Sequence, residues 1–193
     1  MDFVLATFNP GKSRELRSLL AAPGRTLHDL SEFPGATAPH ETGDTLIENA
    51  RLKARAAARL TALPSIADDT GLEVDALDGA PGPRAARFAG PDARAAENVT
   101  LLLERLRGVP RVRRGARFRT VCIACFPGGR ELMSEGILEG VITEGPRGAG
   151  GFGYDPVFEV PELGRTLAEL DEATKNAMSH RARAAAALAD LLS

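Results

Sequence analysis

Helix-forming and strand-forming segments alternate along the first half of the chain, and this alternation restricts the possible folds more than any other feature. Phe3 to Thr7 predicts a strand, after which a turn at Asn9-Pro10-Gly11 leads into a helix from Ser13. A second helix is predicted from Thr45 to about Leu60, and Ser65 to Ala67 predicts a buried strand. Strand patterns cluster in the second half. Together they indicate an α/β fold with a mixed β-sheet.

The length and charge of the chain narrow its function. Its 193 residues are enough for one domain with a substantial core, and we predict a single domain over residues 1–193. The net charge of −2 provides no positive field for DNA or RNA, whereas a small phosphorylated ligand needs only a local cluster of cations. The short apolar N-terminus carries Asp2 and has no basic leader, and no apolar run is long enough to span a membrane. We therefore predict a cytoplasmic protein without a nucleic-acid or membrane partner.

Cys122 and Cys125 lie in an apolar segment that predicts a buried strand. Their odd offset directs the two sulfurs to opposite faces of that strand. Such a pair suits neither a redox site nor a metal site. We interpret both as core cysteines, which also favours a cytoplasmic location.

The connection from the first strand to the first helix is a candidate phosphate site. A helix N-terminus presents free backbone N–H groups and the positive end of the helix dipole, and both suit phosphate. Lys12 adds a full positive charge there, and it opposes the dipole at a cost of roughly 0.3–1 kcal/mol that a bound anion would remove. The segment does not match the P-loop, which needs a longer glycine span before Lys-Ser/Thr. A plain strand–turn–helix connection therefore stays open as the alternative.

The helix from Thr45 carries an unusual lysine. At about 100° per residue, one apolar stripe forms; its members are Leu46, Ala50, Ala54 and Ala57. Asn49 and Lys53 fall beside this stripe, whereas the arginines of the helix lie on the opposite, solvated face. An inward lysine is costly unless it is paired or serves a ligand. Lys53 is thus a candidate for binding a ligand. The alternative is that its side chain reaches water from the edge of the stripe.

Asp68 and Asp69 directly follow the strand predicted at Ser65 to Ala67. Carboxylates at the end of such a strand are common at metal sites of α/β proteins, and Mg²⁺ usually takes one or two of them with waters and phosphate oxygens. On extended backbone, adjacent side chains point to opposite sides, so only one of the two would meet the metal directly. Glu41 could supply a second carboxylate. Alternatively, the acidic pair begins a turn and Glu41 is solvated.

The run from Gly148 to Gly153 formally fits the dinucleotide pattern G-x-G-x-x-G. That pattern requires a helix next, whereas Tyr154-Asp155-Pro156 leads here into a strand. We therefore interpret the run as a backbone loop that carries aromatic side chains. An aromatic residue in such a loop either stacks on a base or anchors the core.

The last helix begins with positively charged side chains at positions where they are unfavourable, as Lys12 and Lys53 are. Ser179 is a natural N-cap. His180 and Arg181 then lie in the first turn, where the helix dipole disfavours positive charge. Violations of local rules are expected at functional sites, although Arg183 is explained by solvation alone.

Six blocks follow one another along the chain: Thr7-x-Asn9-x-x-Lys12; Glu41-Thr42-Gly43 with Thr45, Glu48-Asn49-Ala50 and Lys53-Ala54; Ala67 to Leu72; Pro81-Gly82 with Ala86 to Gly90; Gly150 to Pro156; and Ser179-His180-Arg181. Together they closely resemble the non-canonical purine NTP pyrophosphatases, also called inosine triphosphate or dITP/XTP pyrophosphatases. The resemblance implies a homodimeric α/β fold with an elongated mixed sheet flanked by helices, and two lobes with a cleft between them. It further implies Mg²⁺-dependent hydrolysis of ITP, dITP and XTP to the monophosphate and pyrophosphate.

The resemblance also implies roles for individual residues. The triphosphate would be held by Thr7, Phe8, Asn9, Pro10, Gly11 and Lys12. Lys53 would offset its charge, and Thr70 would touch the substrate. Glu41 and Asp69 would bind Mg²⁺, and Asp69 would accept the proton of the attacking water, so that Asp69, Lys12 and Lys53 form the catalytic set. The nucleoside would contact Phe152, Gly153, Tyr154, Asp155, Lys175, His180 and Arg181. Donors such as Arg181 would favour a keto group at C6 of the purine over the amino group of adenine.

Departures from the family pattern are few. Phe8 stands at an often small position, and Thr70 stands where serine is usual but keeps the hydroxyl. Arg84 and Ala85 replace a common aromatic residue and a common serine, which affects details of the loop from Pro81 to Gly90. Two other functions stay open: a related pyrophosphatase with another nucleotide preference, and a nucleotide sensor without turnover, against which the intact acids and lysines argue. Activation of the water by the metal is an alternative to Asp69, since a metal-bound carboxylate is a weaker base.

Overall fold

A computed structural model describes residues 1–39 and 42–193 of the chain. The strands in this part are β1 (Asp2–Leu5), β2 (Thr26–Asp29), β3 (Ser65–Val74), β4 (Pro81–Gly82), β5 (Gly115–Cys125), β6 (Glu131–Ile142), β7 (Phe158–Val160) and β8 (Arg165–Thr166). The α-helices are α1 (Pro10–Leu19), α2 (Leu46–Thr61), α3 (Ala95–Arg105), α4 (Glu172–Met178) and α5 (His180–Leu191). Among these described helices, none is long and apolar enough to cross a membrane.

All eight strands belong to one sheet, in the order β2-β1-β3-β5-β6-β7-β8 with β4 paired to β3. Strand β1 is parallel to both β2 and β3. The pairs β3–β4, β6–β7 and β7–β8 are antiparallel. The predicted α/β fold with a mixed sheet flanked by helices is thereby confirmed.

Local sequence signals explain where the first two helices begin. Helix α1 starts at Pro10 rather than at the predicted Ser13, because Asn9 is its N-cap and proline suits the first helical position. Helix α2 has the predicted capping box, in which Thr45 accepts from the backbone of Glu48 and the Glu48 side chain accepts in return. Lys12 therefore lies in the first turn of α1, as predicted.

Two predicted strand boundaries are wrong. Strand β3 continues from Ser65 to Val74, so Asp68 and Asp69 lie inside a strand and not at its end. The sequence pattern predicts two strands, at residues 132–138 and 140–142, whereas the structure has the single strand β6 there. In both cases polar or glycine residues suggested a break that pairing in the sheet overrides.

The chain divides into two compact units by its backbone contacts. Unit 1 comprises Met1–Asp69, Thr120–Gly136 and Ser179–Ser193, and unit 2 comprises Thr70–Arg119 and Ile137–Met178. Strands β3, β5 and β6 each contribute residues to both units. The prediction of a single functional domain, like that of a cleft, stays a prediction.

Unit 1 has apolar clusters on both faces of its strands. Along β1, Val4 packs in a cluster with the buried alanines of α2, whereas Phe3 and Leu5 pack in another with apolar residues of α1 and α5. Side chains alternate between faces along a strand, so the two clusters cover opposite faces. Cys125 belongs to the first cluster and Cys122 to the second, which confirms the prediction of two core cysteines on opposite faces.

Neither cysteine is expected to react with a thiol reagent while the protein is folded. Burial raises the pKa of the Cys122 thiol to about 12, and burial also raises the pKa of Cys125 above its ordinary value. Because the thiolate is the reactive form, both groups are protected twice, by burial and by protonation. Labelling with Ellman's reagent at pH 8 should modify no cysteine in buffer and both in urea. Rapid modification of the folded protein would contradict their placement in the core.

Unit 2 is built around a separate apolar cluster. Leu102 and Leu106 at the end of α3 pack in this cluster with aromatic residues of the sheet. The rings of Phe118 and Phe158 lie there with their centroids 4.6 Å apart. The buried hydroxyl of Tyr154 donates a hydrogen bond of 2.8 Å to the carbonyl of Ala85. The aromatic residue of the glycine loop at position 154 is therefore a core anchor, one of the two alternatives predicted for it.

Candidate functional site

The N-terminus of α1 differs in one respect from the predicted phosphate site. The Asn9 side chain accepts hydrogen bonds from the backbone N–H groups of Gly11 at 2.9 Å and Lys12 at 3.2 Å. The Asn9 N–H in turn donates to the Thr7 hydroxyl at 3.1 Å. A phosphate would have to compete with Asn9 for these backbone donors, so the charge of Lys12 provides the stronger attraction here.

The loop before α1 lines a cavity of about 340 Å³ in unit 1. The residues around it are Thr7, Phe8, Asn9, Pro10, Ser13, Arg14, Arg17, Asp29 and Ser31. Asp29 accepts a hydrogen bond from Ser13 and is 2.8 Å from the Arg17 guanidinium, which joins β2 to α1 at this point. Phe8 is 43% exposed. The four predicted triphosphate residues from Thr7 to Pro10 are thus grouped at an accessible surface.

Asp68 and Asp69 each contact a different lysine. The ammonium group of Lys53 donates to Asp69 Oδ1 at 2.7 Å, and the ammonium group of Lys12 lies 3.2 Å from Asp68 Oδ2. Adjacent side chains of a strand point to opposite faces, and α1 and α2 cover opposite faces of unit 1. Each member of the predicted catalytic set is therefore in an ion pair, Lys53 with Asp69 and Lys12 with Asp68. Asp69 lies on the side of the sheet that α2 covers.

Arg181 lies in a buried ion network. Its guanidinium donates from Nε to Asp68 at 3.0 Å and from Nη1 to Glu15, and the residue is 1% exposed. Desolvation alone would lower the pKa of Arg181, but the carboxylates of Asp68 and Glu15 raise it. Arg181 therefore stays charged, and its described contacts tie α5 to α1 and β3. Its predicted contact with a nucleoside stays a prediction.

The ionisation of Asp68 and Lys12 follows from the same network. Burial would raise the pKa of Asp68, but the positive charges of Lys12, Arg181 and Lys53 hold it well below its usual range. Burial lowers the pKa of Lys12, an effect that the neighbouring Asp68 opposes. An ionised Asp68 thus fixes the Lys12 side chain, which indicates a supporting role for this acid.

Glu15 is a site residue that the sequence interpretation missed. Its side chain is buried and accepts from Arg181. A sequence signal existed, because Glu15 follows Lys12 by three positions and so lies on the same side of α1. Its partner could not be predicted, because Arg181 is 166 positions farther along the chain.

His180 is the first residue of α5 and is buried in unit 1. Ser179 caps the helix by accepting from the backbone N–H of Ala182 at 3.1 Å, which confirms the predicted N-cap. The imidazole Nδ1 lies 2.6 Å from the hydroxyl oxygen of Thr120 on β5. The ring is therefore held by a specific polar contact, and Thr120 is a second residue that the sequence interpretation missed.

Three of the predicted nucleoside residues form one cluster in unit 2. The Asp155 carboxylate accepts from Lys175 Nζ at 2.7 Å and from the backbone N–H of Phe152 at 3.0 Å. The Lys175 ammonium group also lies 4.8 Å from the centroid of the Phe152 ring, within range of a cation–π interaction. A side chain at Gly151 would collide with the Asp155 carboxylate, and Gly153 has a φ of 63°. The glycines thus allow the loop to wrap closely around this acid.

Two further predicted residues have less structural support. Glu41, the predicted second metal ligand, lies outside the described residues. Thr70 follows Asp69 along β3 and is the first residue of unit 2, and its side chain is half-buried. Over residues 1–39 and 42–193, no group of three or more His, Cys, Asp or Glu side chains could hold a metal ion.

Comparison with known proteins agrees with the sequence motifs. The model of the Ham1 family matches residues 3–191. A dITP/XTP pyrophosphatase of Yersinia pseudotuberculosis is 51% identical over 193 aligned positions, covering 98% of this chain and 96% of that protein. A dITP/XTP pyrophosphatase of Geobacillus kaustophilus is 50% identical over 95% of this chain and 90% of its own length.

The backbone fold also matches that of a solved structure. The solved structure of a HAM1 protein from Coxiella burnetii has a TM-score of 0.90 and 41% sequence identity, and the match covers 100% of this chain and 98% of that one. Both the backbone fold and the sequence therefore match over the full length of this chain. We conclude that the chain belongs to the Ham1 family.

Proposed function

We propose that this chain is a nucleoside-triphosphate pyrophosphatase that hydrolyses non-canonical purine nucleotides. The substrates are ITP, dITP and XTP, and the products are the nucleoside monophosphate and pyrophosphate, so that these nucleotides are removed from the pool. The main structural support is that Lys12 contacts Asp68 and Lys53 contacts Asp69. The names of the Yersinia and Geobacillus relatives support it.

The donor set at Asp69 suits Mg²⁺. Its buried carboxylate already attracts one cation, the ammonium group of Lys53. Mg²⁺ prefers oxygen ligands and usually takes only one or two protein carboxylates, so Asp69 with Glu41 would be sufficient. When bound, the metal would neutralise charge that builds on the phosphates.

The residues of unit 1 then have defined roles in hydrolysis. Lys12 and Lys53 carry positive charge that offsets the charge of the triphosphate and of the leaving pyrophosphate. Asp69 accepts the proton of the water that attacks the α–β phosphoanhydride. Asp68 and Arg181 hold Lys12 in position through the buried network.

For the nucleoside, we propose contacts with the loop and helix residues of the family pattern. Phe152 offers a ring for stacking on the base. The Asp155–Lys175 pair supplies a carboxylate and an ammonium group beside that ring. His180 is likewise proposed to contact the base. On the family resemblance, we also propose a homodimer located in the cytoplasm.

A substrate panel tests the proposed function. With Mg²⁺, kcat/KM for dITP and XTP should exceed that for dATP and ATP by at least about 10²-fold, because a site built for a keto group at C6 leaves polar groups unpaired with the amino group of adenine. GTP, which shares the keto group at C6 but carries an amino group at C2, should also be a much poorer substrate. A preference for canonical or modified pyrimidine nucleotides would instead indicate a related pyrophosphatase. Tight binding of dITP without any turnover would indicate a sensor.

A further inference from the structure

The cavity beside the first turn of α1 is lined by an arginine whose charge is not compensated. Two arginines, Arg14 and Arg17, line this cavity together with one acid, Asp29, so the lining has a net charge of +1. Arg17 lies 2.8 Å from the Asp29 carboxylate and also donates to the carbonyl of Leu27. Within the described part of the chain, Arg14 is exposed and has neither a hydrogen-bond nor an ion-pair partner. The excess positive charge of the cavity therefore belongs to Arg14.

Three other polar side chains of the lining already have partners. Ser13 donates to Asp29, and the Asn9 side chain accepts from two backbone N–H groups of α1. The Thr7 hydroxyl accepts from the N–H of Asn9, so its remaining contribution to a ligand is its own proton. An anion in the cavity would therefore be held mainly by charge-assisted hydrogen bonds from Arg14, which are roughly twice as strong as neutral ones.

Arg14 and Lys12 lie on different sides of α1. They are two positions apart, and at about 100° per residue this places them about 200° apart around the helix axis. Lys12 contacts the buried Asp68, whereas Arg14 borders the cavity together with residues 7–10. These residues are also part of the proposed triphosphate site. A triphosphate along this loop can thus meet Lys12 with one part of its length and Arg14 with another.

We propose that Arg14 binds the γ phosphate of the nucleoside triphosphate, the end farthest from the sugar. The inference rests on the proposed function, in which residues 7–12 hold the triphosphate and the α–β phosphoanhydride is cleaved. The γ phosphate leaves as part of pyrophosphate, so Arg14 holds the same group before and after the bond breaks. An interaction that is equal in the ground state and the transition state strengthens binding without accelerating the chemical step.

Steady-state kinetics of Arg14→Gln test this assignment. KM for dITP should rise about tenfold, the usual effect of removing one charge-assisted hydrogen bond, while kcat stays within about threefold of the wild-type value. Arg59→Gln is the matched control, because Arg59 is another exposed arginine of unit 1 and lies on α2. Its KM should stay within about threefold of the wild-type value. An unchanged KM in Arg14→Gln, or an equal rise in both variants, would overturn the proposal.

Binding of the two products tests the contact without turnover. Isothermal titration calorimetry with Mg²⁺ present uses pyrophosphate and dIMP as separate probes. Arg14→Gln should weaken the binding of pyrophosphate about tenfold and leave that of dIMP within about threefold, because dIMP lacks the β and γ phosphates. Equal affinities of the wild type and Arg14→Gln for pyrophosphate would refute the contact. Absence of dITP hydrolysis by the wild type would instead refute the proposed function, and a pyrophosphate affinity that depends on Arg14 would still establish the anion site.

Discussion

Asp69→Asn is expected to lower kcat for dITP hydrolysis by about 10²–10⁴-fold, the usual contribution of a general base. The substitution keeps the shape of the side chain but removes the charge that accepts a proton from water. It also removes the partner of Lys53, whose ammonium group now lies 2.7 Å from Asp69 Oδ1. The rate of pyrophosphate release at saturating dITP and Mg²⁺ measures the effect.

Glu131→Gln is the matched control for Asp69→Asn. Glu131 also belongs to unit 1 and accepts from two arginines of α2, Arg51 at 3.0 Å and Arg55 at 2.5 Å. It lies outside the proposed machinery, so kcat of the Glu131→Gln variant should stay within about threefold of the wild-type value. A wild-type rate for Asp69→Asn would show that Asp69 is not the proton acceptor.

Arg181→Gln is expected to destabilise the protein by about 3–5 kcal/mol, the usual effect of removing one partner from a buried ion pair. Glutamine is shorter and neutral, so Asp68 and Glu15 would keep their buried charges with less compensation. The loss should appear as a lower midpoint in urea unfolding followed by circular dichroism. An unchanged slope of the transition would show that stability itself has changed.

Arg183→Gln provides the comparison on the same helix. Arg183 is two positions farther along α5 and is exposed, so its substitution should change the free energy of unfolding by no more than about 0.5 kcal/mol. Equal effects of the two substitutions would mean that the buried network of Arg181 does not stabilise the fold.

The regular parts of the fold could be predicted because they depend on local signals. The capping box at Thr45 and the N-cap at Ser179 each act within three residues, and both are present in the structure. Short apolar runs likewise predict the strands that begin near Phe3 and at Ser65. Strand β8 and helix α4 escaped prediction because segments of two and seven residues contain too little pattern to be recognised.

The polar site was harder to predict, since its partners are distant in sequence. The place of Lys53 beside an apolar stripe marks it as unusual in the sequence, but only the fold brings it to Asp69. Asp68 and Arg181 are separated by 113 positions, and no helical or strand period connects them. The sequence predicts that the strand ends at Ala67 because two acids follow its apolar residues, whereas their buried ion pairs allow β3 to continue through them.

The identity of the released phosphate tests the central claim most directly. Phosphorus-31 NMR of dITP with the enzyme and Mg²⁺ should show dIMP and pyrophosphate appearing at equal rates. Cleavage of the α–β phosphoanhydride requires this result, since it leaves the β and γ phosphates joined. Early formation of dIDP and orthophosphate would contradict the proposed pyrophosphatase activity.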